Sequence, residues 1–291
     1  MNDMMVIDKR AVRRSFERAA KTYDAAAVLQ HEVCGRSLER LNFIRHAPSR
    51  ILDAGCGTGN AWKGLSARYP AARIIGLDLA PGMLKQAGST VPWSQRLMRR
   101  GPFPVCGDLE RLPLAKGSID LAWSNLALQW VNTLPRAFAE MHRVLAPGGL
   151  FLFTTFGPDT LKELRAAQSG IDNHPHVNRF IDMHDIGDML VECGFADPVI
   201  DMETFTLTYD DARAVMRDLK SIGAHNAAAD RPSALSGKQW LAAVERNYEN
   251  FRCDGKLPAT FEVIYGHAWR PAPRLGPGGK PVIDIKPVSE S

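Results

Sequence analysis

Long apolar runs are missing from this chain: nowhere in its 291 residues does an apolar run reach the roughly 18 residues that a membrane-spanning helix needs. Met1 to Lys21 also lacks the apolar segment of a secretion signal, so the expectation is a soluble, cytoplasmic protein with no membrane role. Cysteine is sparse and without pattern. Cys34, Cys56, Cys106, Cys193 and Cys253 are odd in number and show no C-x-x-C spacing, which speaks against a disulfide frame and a zinc site and suits a reducing compartment. Excess charge is small as well. A net +4 is too little to imply a nucleic-acid partner, although it leaves room for local basic patches that meet an acidic one. With 45% hydrophobic residues the chain can bury one large core, and we expect a single catalytic domain with appendages.

What is present is concentrated first at Ile51-Leu52-Asp53-Ala54-Gly55-Cys56-Gly57-Thr58-Gly59, where apolar residues run directly into three alternate glycines. This reads as a buried strand turning tightly into a helix. Glycines there accept positive φ and let backbone N–H groups and a bare helix N-terminus approach a ligand. A dinucleotide fingerprint needs its third glycine three residues after the second, but Gly59 follows Gly57 by two, and Asn60-Ala61-Trp62 stands where a phosphate-binding loop would carry Lys and Ser/Thr. The remaining expectation is a ligand with an amino acid end and no phosphate. Arg73 to Asp78 is a second strand ending in an acid, placed to accept from a ribose diol. Pro104 to Leu109 repeats the arrangement, with Asp108 set to meet an exocyclic amine of adenine. Together these features describe a nucleoside with a zwitterionic tail.

From Ile51 to Phe156 the ordered set resembles the class I S-adenosylmethionine-dependent methyltransferases. The resemblance implies an α/β fold: a Rossmann-like, doubly wound, seven-stranded sheet with its last strand antiparallel, plus an N-terminal helical lid. It implies S-adenosyl-L-methionine as cofactor, held by Asp53, Gly55, Gly57, Gly59, Asp78, Leu79, Met83, Asp108, Leu109 and Asn125. Met83 is equally readable as plain core. The N-terminal segment has helical spacing with a break near Thr22-Tyr23-Asp24, and its F-x-x-A-A-x-x-Y-D pattern followed by Leu29-Gln30 narrows the likeness. It is similar to the opening of the malonyl-[acyl-carrier protein] O-methyltransferases of biotin synthesis. Ser124-Asn125-Leu126-Ala127-Leu128-Gln129-Trp130, leaving the fourth strand, matches the same family, and so does Asp218 to Asn226.

In a doubly wound sheet the fourth-strand exit faces the acceptor. Amine-directed methyltransferases of nucleic acid carry an Asp/Asn/Ser-Pro-Pro-aromatic tetrapeptide there, which Asn125-Leu126-Ala127-Leu128 does not supply. The resemblance implies a malonyl thioester on acyl-carrier protein as substrate, with Tyr23, Gln30, Gln129 and Trp130 around the reacting groups and Arg143 or Lys220 orienting the distal carboxylate or carrier. Tyr23 as a packing residue and Trp130 as core are the plainer alternatives. Arg213, Arg217 and Lys220 fall on one face of a helix capped by Asp210-Asp211, either a solvated row or a docking stripe. Competing functions are a carboxyl methyltransferase of small free acids, of the trans-aconitate type, and a non-catalytic cofactor-binding assembly protein. No metal site is expected, since His174 and His176 flank Pro175 in a loop and His184 has no carboxylate at ligand spacing. The expected organisation is a lid over 1–45, a methyltransferase domain over 46–269 and a disordered tail over 270–291.

Overall fold

The computed structural model describes residues 7–93, 101–172, 178, 180–223 and 237–272. The arginines at 96, 99 and 100, His174, His176, the segment Ala224-His225-Asn226 and the tail from 273 lie outside the described residues. The strands are β1 (Arg50–Ala54), β2 (Arg73–Asp78), β3 (Phe103–Cys106), β4 (Ile119–Ser124), β5 (Leu145–Phe156), β6 (Ala196–Tyr209) and β7 (Leu257–Trp269), the central ones buried almost continuously and β6 alternating. They make one sheet in the order β3-β2-β1-β4-β5-β7-β6. The first five strands are parallel, and β7 runs antiparallel to both β5 and β6. Order reverses between β1 and β4, which opens a crevice at their carboxyl ends.

Helices α1 (Lys9–Ala19), α2 (Tyr23–Ala26), α3 (Val28–Arg40), α4 (Asn60–Arg68), α5 (Pro81–Thr90), α6 (Leu134–Val144), α7 (Lys162–Gln168), α8 (Met183–Glu192), α9 (Ala212–Ser221) and α10 (Lys238–Tyr248) surround the sheet. Alternation along the strands divides the core. Phe151 and Phe153 pack with Phe138, Met141 and Leu190 on one face, whereas Leu150, Leu152, Leu121 and Trp123 pack with Trp62 and Leu65 on the other. A third cluster, built from α7, α9, α10 and β7, includes Leu29 and Val33 of α3. Thus α3 is a structural layer, tied further by Arg40 to Asp201 at 2.9 Å, and the covering role falls to α1 and α2.

Spacing along the sequence predicts a helix opened by Asp159 that contains Leu161, separate strand signals at 199–200 and 205–209, a strand beginning at Leu150 and a disordered tail from Arg270, and the structure corrects all four. Leu161 lies before α7 rather than inside it, in the left-handed region (φ 57°), because its N–H is drawn to the Thr260 carbonyl at 2.6 Å. The two strand signals at 199–200 and 205–209 are one 14-residue strand, since β7 pairs without a break from Val199 to Tyr209 and again, past an irregularity, at Ala196. β5 begins at Leu145, and Pro147-Gly148-Gly149 forms an irregularity in its register with β4. Arg270 is not the start of a disordered tail: its N–H donates to the Gly149 carbonyl at 2.8 Å and its carbonyl accepts from Gly148 at 2.8 Å.

Candidate active site

The turn after β1 is shaped by three glycines at positive φ, 81° for Gly55, 52° for Gly57 and 83° for Gly59. Two N–H groups of the turn, from Gly55 and Cys56, converge on the Leu77 carbonyl at 2.7 and 2.9 Å, tying the tip of β1 to that of β2. A Cβ on Gly55 would lie 2.2 Å from that of Ala127, so the glycine is what allows the turn to touch the exit of β4. A Cβ on Gly57 would meet nothing within 4 Å, which leaves backbone facing open space.

Asp78 ends β2 with its carboxylate accepting from Gly57 N–H at 3.0 Å and Ala80 N–H at 2.8 Å. Each oxygen retains a lone pair for a further donor. Burial lifts its pKa to about 6, against those backbone hydrogen bonds. Asp53 lies deeper, 2% exposed, and burial raises it to about 7, partly offset by the Trp62 indole and reinforced by Asp78. Its Oδ2 is buried with no hydrogen-bond partner. An orphaned buried carboxylate beneath a glycine cradle is a place for a cation or a strong donor. The amino acid end and ribose of S-adenosylmethionine supply such groups, so the residues present fit that cofactor.

At the exit of β4 the backbone of Leu126 is held at φ 47°, a strained conformation for leucine. Thr154 maintains it: the Thr154 hydroxyl donates to Asn125 Oδ1 at 2.9 Å and accepts from Leu126 N–H at 2.9 Å. Asn125 Nδ2 donates to the Gln30 carbonyl at 3.1 Å, joining the β4 exit to α3. Gln129 donates to the Leu126 carbonyl at 2.6 Å and keeps its own buried Oε1 without a partner. Over this floor lies α1, whose Phe16 meets Trp130 edge-on at 5.3 Å and Tyr23 at 6.4 Å. Burial, then Asp78 and Asp24, push the Tyr23 phenol well above its ordinary range, so it stays protonated.

One cavity unites these elements. Tyr23, Gln30, Gly55, Gly57, Asp78, Leu79, Met83, Asp108, Leu109, Asn125, Gln129 and Trp130 all line it. Asp53 and Gly59 do not. Asp53 is buried below the turn, and a Cβ on Gly59 would strike the Trp62 ring at 2.9 Å and Ala87 at 3.2 Å, so that glycine serves packing between α4 and α5. Beyond the β4 exit the wall becomes apolar through Phe156, Leu161, Leu164, Phe180 and Phe261. A second cavity shares Gln129, Val131, Phe156, Asn178 and Phe180 with the first.

Sequence reasoning missed Lys9. Its ammonium lies 2.7 and 2.6 Å from the two oxygens of Asp108 and also contacts Glu110, so the acid expected to face an adenine amine is already ion-paired across 99 positions. Nothing in the spacing marks that lysine. Arg143 was expected near the acceptor and is not there: it pairs with Glu140 at 2.7 Å and donates to the Leu114 and Leu112 carbonyls at 2.8 and 2.9 Å. It lies beside Leu145, which pairs with Ile119 at the amino end of β4, the side of the sheet away from the cavity. Lys220 is exposed on α9 next to Leu219, which lines the cavity. Among the described residues no cluster of His, Cys, Asp or Glu could hold a metal ion, and no helix is long and apolar enough to cross a membrane.

A methyltransferase-domain family model matches residues 52–153. The YcgJ protein of Bacillus subtilis shares the fold at a TM-score of 0.56 and 19% identity, over 83% of this chain and 99% of that one. Strand order, glycine turn and acidic strand tips together define a class I methyltransferase whose cofactor is S-adenosylmethionine. Across the full length, the chain is 57% identical to the malonyl-[acyl-carrier protein] O-methyltransferases of Gallionella capsiferriformans (strain ES-2), covering 97% of this chain and 98% of that protein, and of Methylovorus sp. (strain MP688), covering 99% and 98%. The chain belongs to the malonyl-[acyl-carrier protein] O-methyltransferase family.

Proposed function

We propose that this protein transfers a methyl group from S-adenosylmethionine to the free carboxylate of a malonyl thioester carried on acyl-carrier protein, the step that masks the acid for biotin synthesis. Full-length likeness to relatives of that name carries the reading. The bound cofactor supplies an electrophilic methyl on a sulfonium. Asp53 and Asp78 would hold its amino acid and ribose ends, Gly55 and Gly57 would admit its backbone contacts, and Leu79, Met83, Asp108, Leu109 and Asn125 would border the rest. Tyr23, Gln30, Gln129 and Trp130 would enclose the acceptor.

The chain's own contribution to rate is positioning and exclusion of water. The ionisable side chains lining the cavity are Lys9, Tyr23, Asp78 and Asp108 among the described residues. Lys9 and Asp108 neutralise each other, and Tyr23 keeps its proton. The acceptor end therefore offers amide and apolar groups and no general base, which suits an acceptor that is already ionised at neutral pH. Conversion of that carboxylate to an ester removes a charge that an apolar elongation channel would reject. In functional terms, 1–45 would be the lid segment and 46–269 the transfer domain, with α1 and α2 doing the covering.

The test is incubation with methyl-labelled cofactor and malonyl-carrier, with the product mass read directly. Label in a base-labile ester on the carrier-bound malonyl group is the expected result. Label confined to free diacids, to malonyl-coenzyme A alone, or absent despite tight cofactor binding would each replace the reading with a different one.

A further inference from the structure

The outer face of α1 carries a row of cations with little local counter-charge. Arg10, Arg13, Arg14 and Arg18, followed by Lys21, are all exposed. Arg10/Arg13, Arg10/Arg14 and Arg14/Arg18 stand at helical-neighbour spacings, so each pair opposes the helix that holds it, and Lys21 follows in the turn beyond. The acid within the helix, Glu17, is committed to the Gly82 N–H at 2.8 Å, and the nearest ion pair, Arg14 with Asp8, is loose at 3.8 Å. The N-cap Asp8 accepts from the Arg10 and Ala11 N–H groups at 2.9 and 3.1 Å, and beyond it Arg10, Arg13 and Arg14 bring cations to the positive end of the helix dipole.

The inner face of the same helix is the roof of the reaction cavity, through Val12 and Phe16. Toward its carboxyl end α1 abuts the end of α9: a Cβ on Gly223 would meet Phe16 at 3.0 Å and Ala19 at 3.5 Å. Leu219 and Ile222 of that end wall the cavity, and Lys220 between them is exposed. The rest of the α9 row is less free, because Arg213 is paired with Glu245 and Arg217 faces Asp211 at 4.0 Å. The unspent positive charge therefore lies on α1 and at Lys220, flanking the seam between two elements that both line the cavity.

We propose that an acidic carrier protein docks on this outer face of α1, with its negatively charged helix against Arg10, Arg13, Arg14, Arg18 and Lys21, and delivers its thioester arm beside Lys220 through the α1–α9 seam. The inference rests on the malonyl-carrier reading and adds the surface by which the carrier is recognised. Charge complementarity selects this occupant: the lid must receive a bulky anionic partner within one helix diameter of the acceptor site. Because the docking helix is also the roof, arrival of the carrier and closure over the acceptor are the same event.

The test uses the full chain carrying Arg10→Glu, Arg14→Glu and Arg18→Glu together, and a milder triple variant with Gln at the same positions. Turnover of malonyl-carrier is measured at low and high salt, and cofactor affinity by calorimetry. We expect the Glu variant to raise KM for malonyl-carrier at least tenfold at low salt, the Gln variant to raise it less, and the difference from wild type to shrink as salt screens the contact. Cofactor Kd and kcat at saturation stay within twofold. Unchanged KM overturns the docking site while leaving the methyl-transfer reading intact. A matching loss of cofactor affinity in both variants overturns it too, since the substitutions then act on the lid fold. So does loss of binding to anionic vesicles or duplex DNA at constant carrier KM, which would give the face to a membrane or a nucleic acid. Absence of wild-type turnover on malonyl-carrier would remove the functional reading itself before any variant is compared.

Discussion

Asp53 and Asp78 lie at neighbouring strand tips, yet their surroundings differ. Asp78 has two backbone donors, and Asp53 has an oxygen with none. Burial raises Asp53 to about 7 and Asp78 to about 6, so ionisation is costly at both until a donor-rich ligand end relieves it. Replacing Asp53 by Asn removes the ionised form. The ligand-free variant should be roughly 2–4 kcal/mol more stable than wild type at pH 8, where a carboxylate raised by about three units is forced to ionise. Its affinity for S-adenosylmethionine should fall about tenfold or more, the loss of one charge-assisted contact. Denaturant unfolding and calorimetry measure the two effects. An undiminished affinity would show that Asp53 is a purely structural acid.

At the scale of elements, the site is made where the turn after β1 meets the exit of β4. Gly55 touches Ala127, Ser124 donates to the Ala54 carbonyl at 2.8 Å, and Thr154 pins the strained Leu126. Gly55→Ala combines a Cβ only 2.2 Å from that of Ala127 with a φ that alanine resists, and should cost about 2–4 kcal/mol of stability along with most cofactor affinity. Adding Ala127→Gly removes the overlap and leaves the φ, so urea unfolding of the double variant should recover about half of the loss. No recovery would mean that backbone strain alone sets the cost. The covering helix obeys similar logic: Asp24 of α2 accepts from the Thr58 hydroxyl at 2.5 Å, and Ile7 exchanges two hydrogen bonds with Asn132 at 2.6 and 3.1 Å. The N-terminal segment is therefore fastened at several points along its length, to the glycine turn, to α5 through Glu17 and to Asn132 beyond the β4 exit.

For the whole molecule, the two buried acids give stability a distinctive pH dependence. Their folded pKa values exceed the unfolded ones, so the native state holds extra protons between about pH 4 and pH 7 and their contribution declines as pH rises through that window. Carboxylates held low act in the opposite sense: Asp120, where Ser49 and Arg50 outweigh burial, and Glu140, hydrogen-bonded by Arg143, stabilise once ionised and lose that contribution only in acid. Between pH 5 and pH 8 these are ionised in both states. Burial also holds His142 and His267 below the usual imidazole range, which adds stability as pH rises toward neutrality and offsets part of the loss; the cofactor-free protein should still show a net decline across that interval, which saturating S-adenosylmethionine should flatten. Thermal melts with and without cofactor test this, and a rising ligand-free curve would contradict the burial of the pair.

The parts of the site legible in the sequence are those carried by one continuous stretch. Glycines at alternate positions after an apolar run, an acid closing the next strand and a polar exit from the fourth are local patterns, because strand periodicity and positive φ are properties of neighbouring residues. These determined the α/β class and the order of the strand tips, and named a part of the residues that line the cavity. Only the tertiary structure decided what those residues meet. It set Lys9 on Asp108 from 99 positions away, placed Asp53 below the cavity instead of in its wall, took Arg143 to the opposite end of the sheet, and made α3 a layer of the domain. The physical reason is range: a backbone conformation is chosen by adjacent residues, whereas the partner of a charge is chosen by whichever distant element the packing of the sheet brings within a few ångströms.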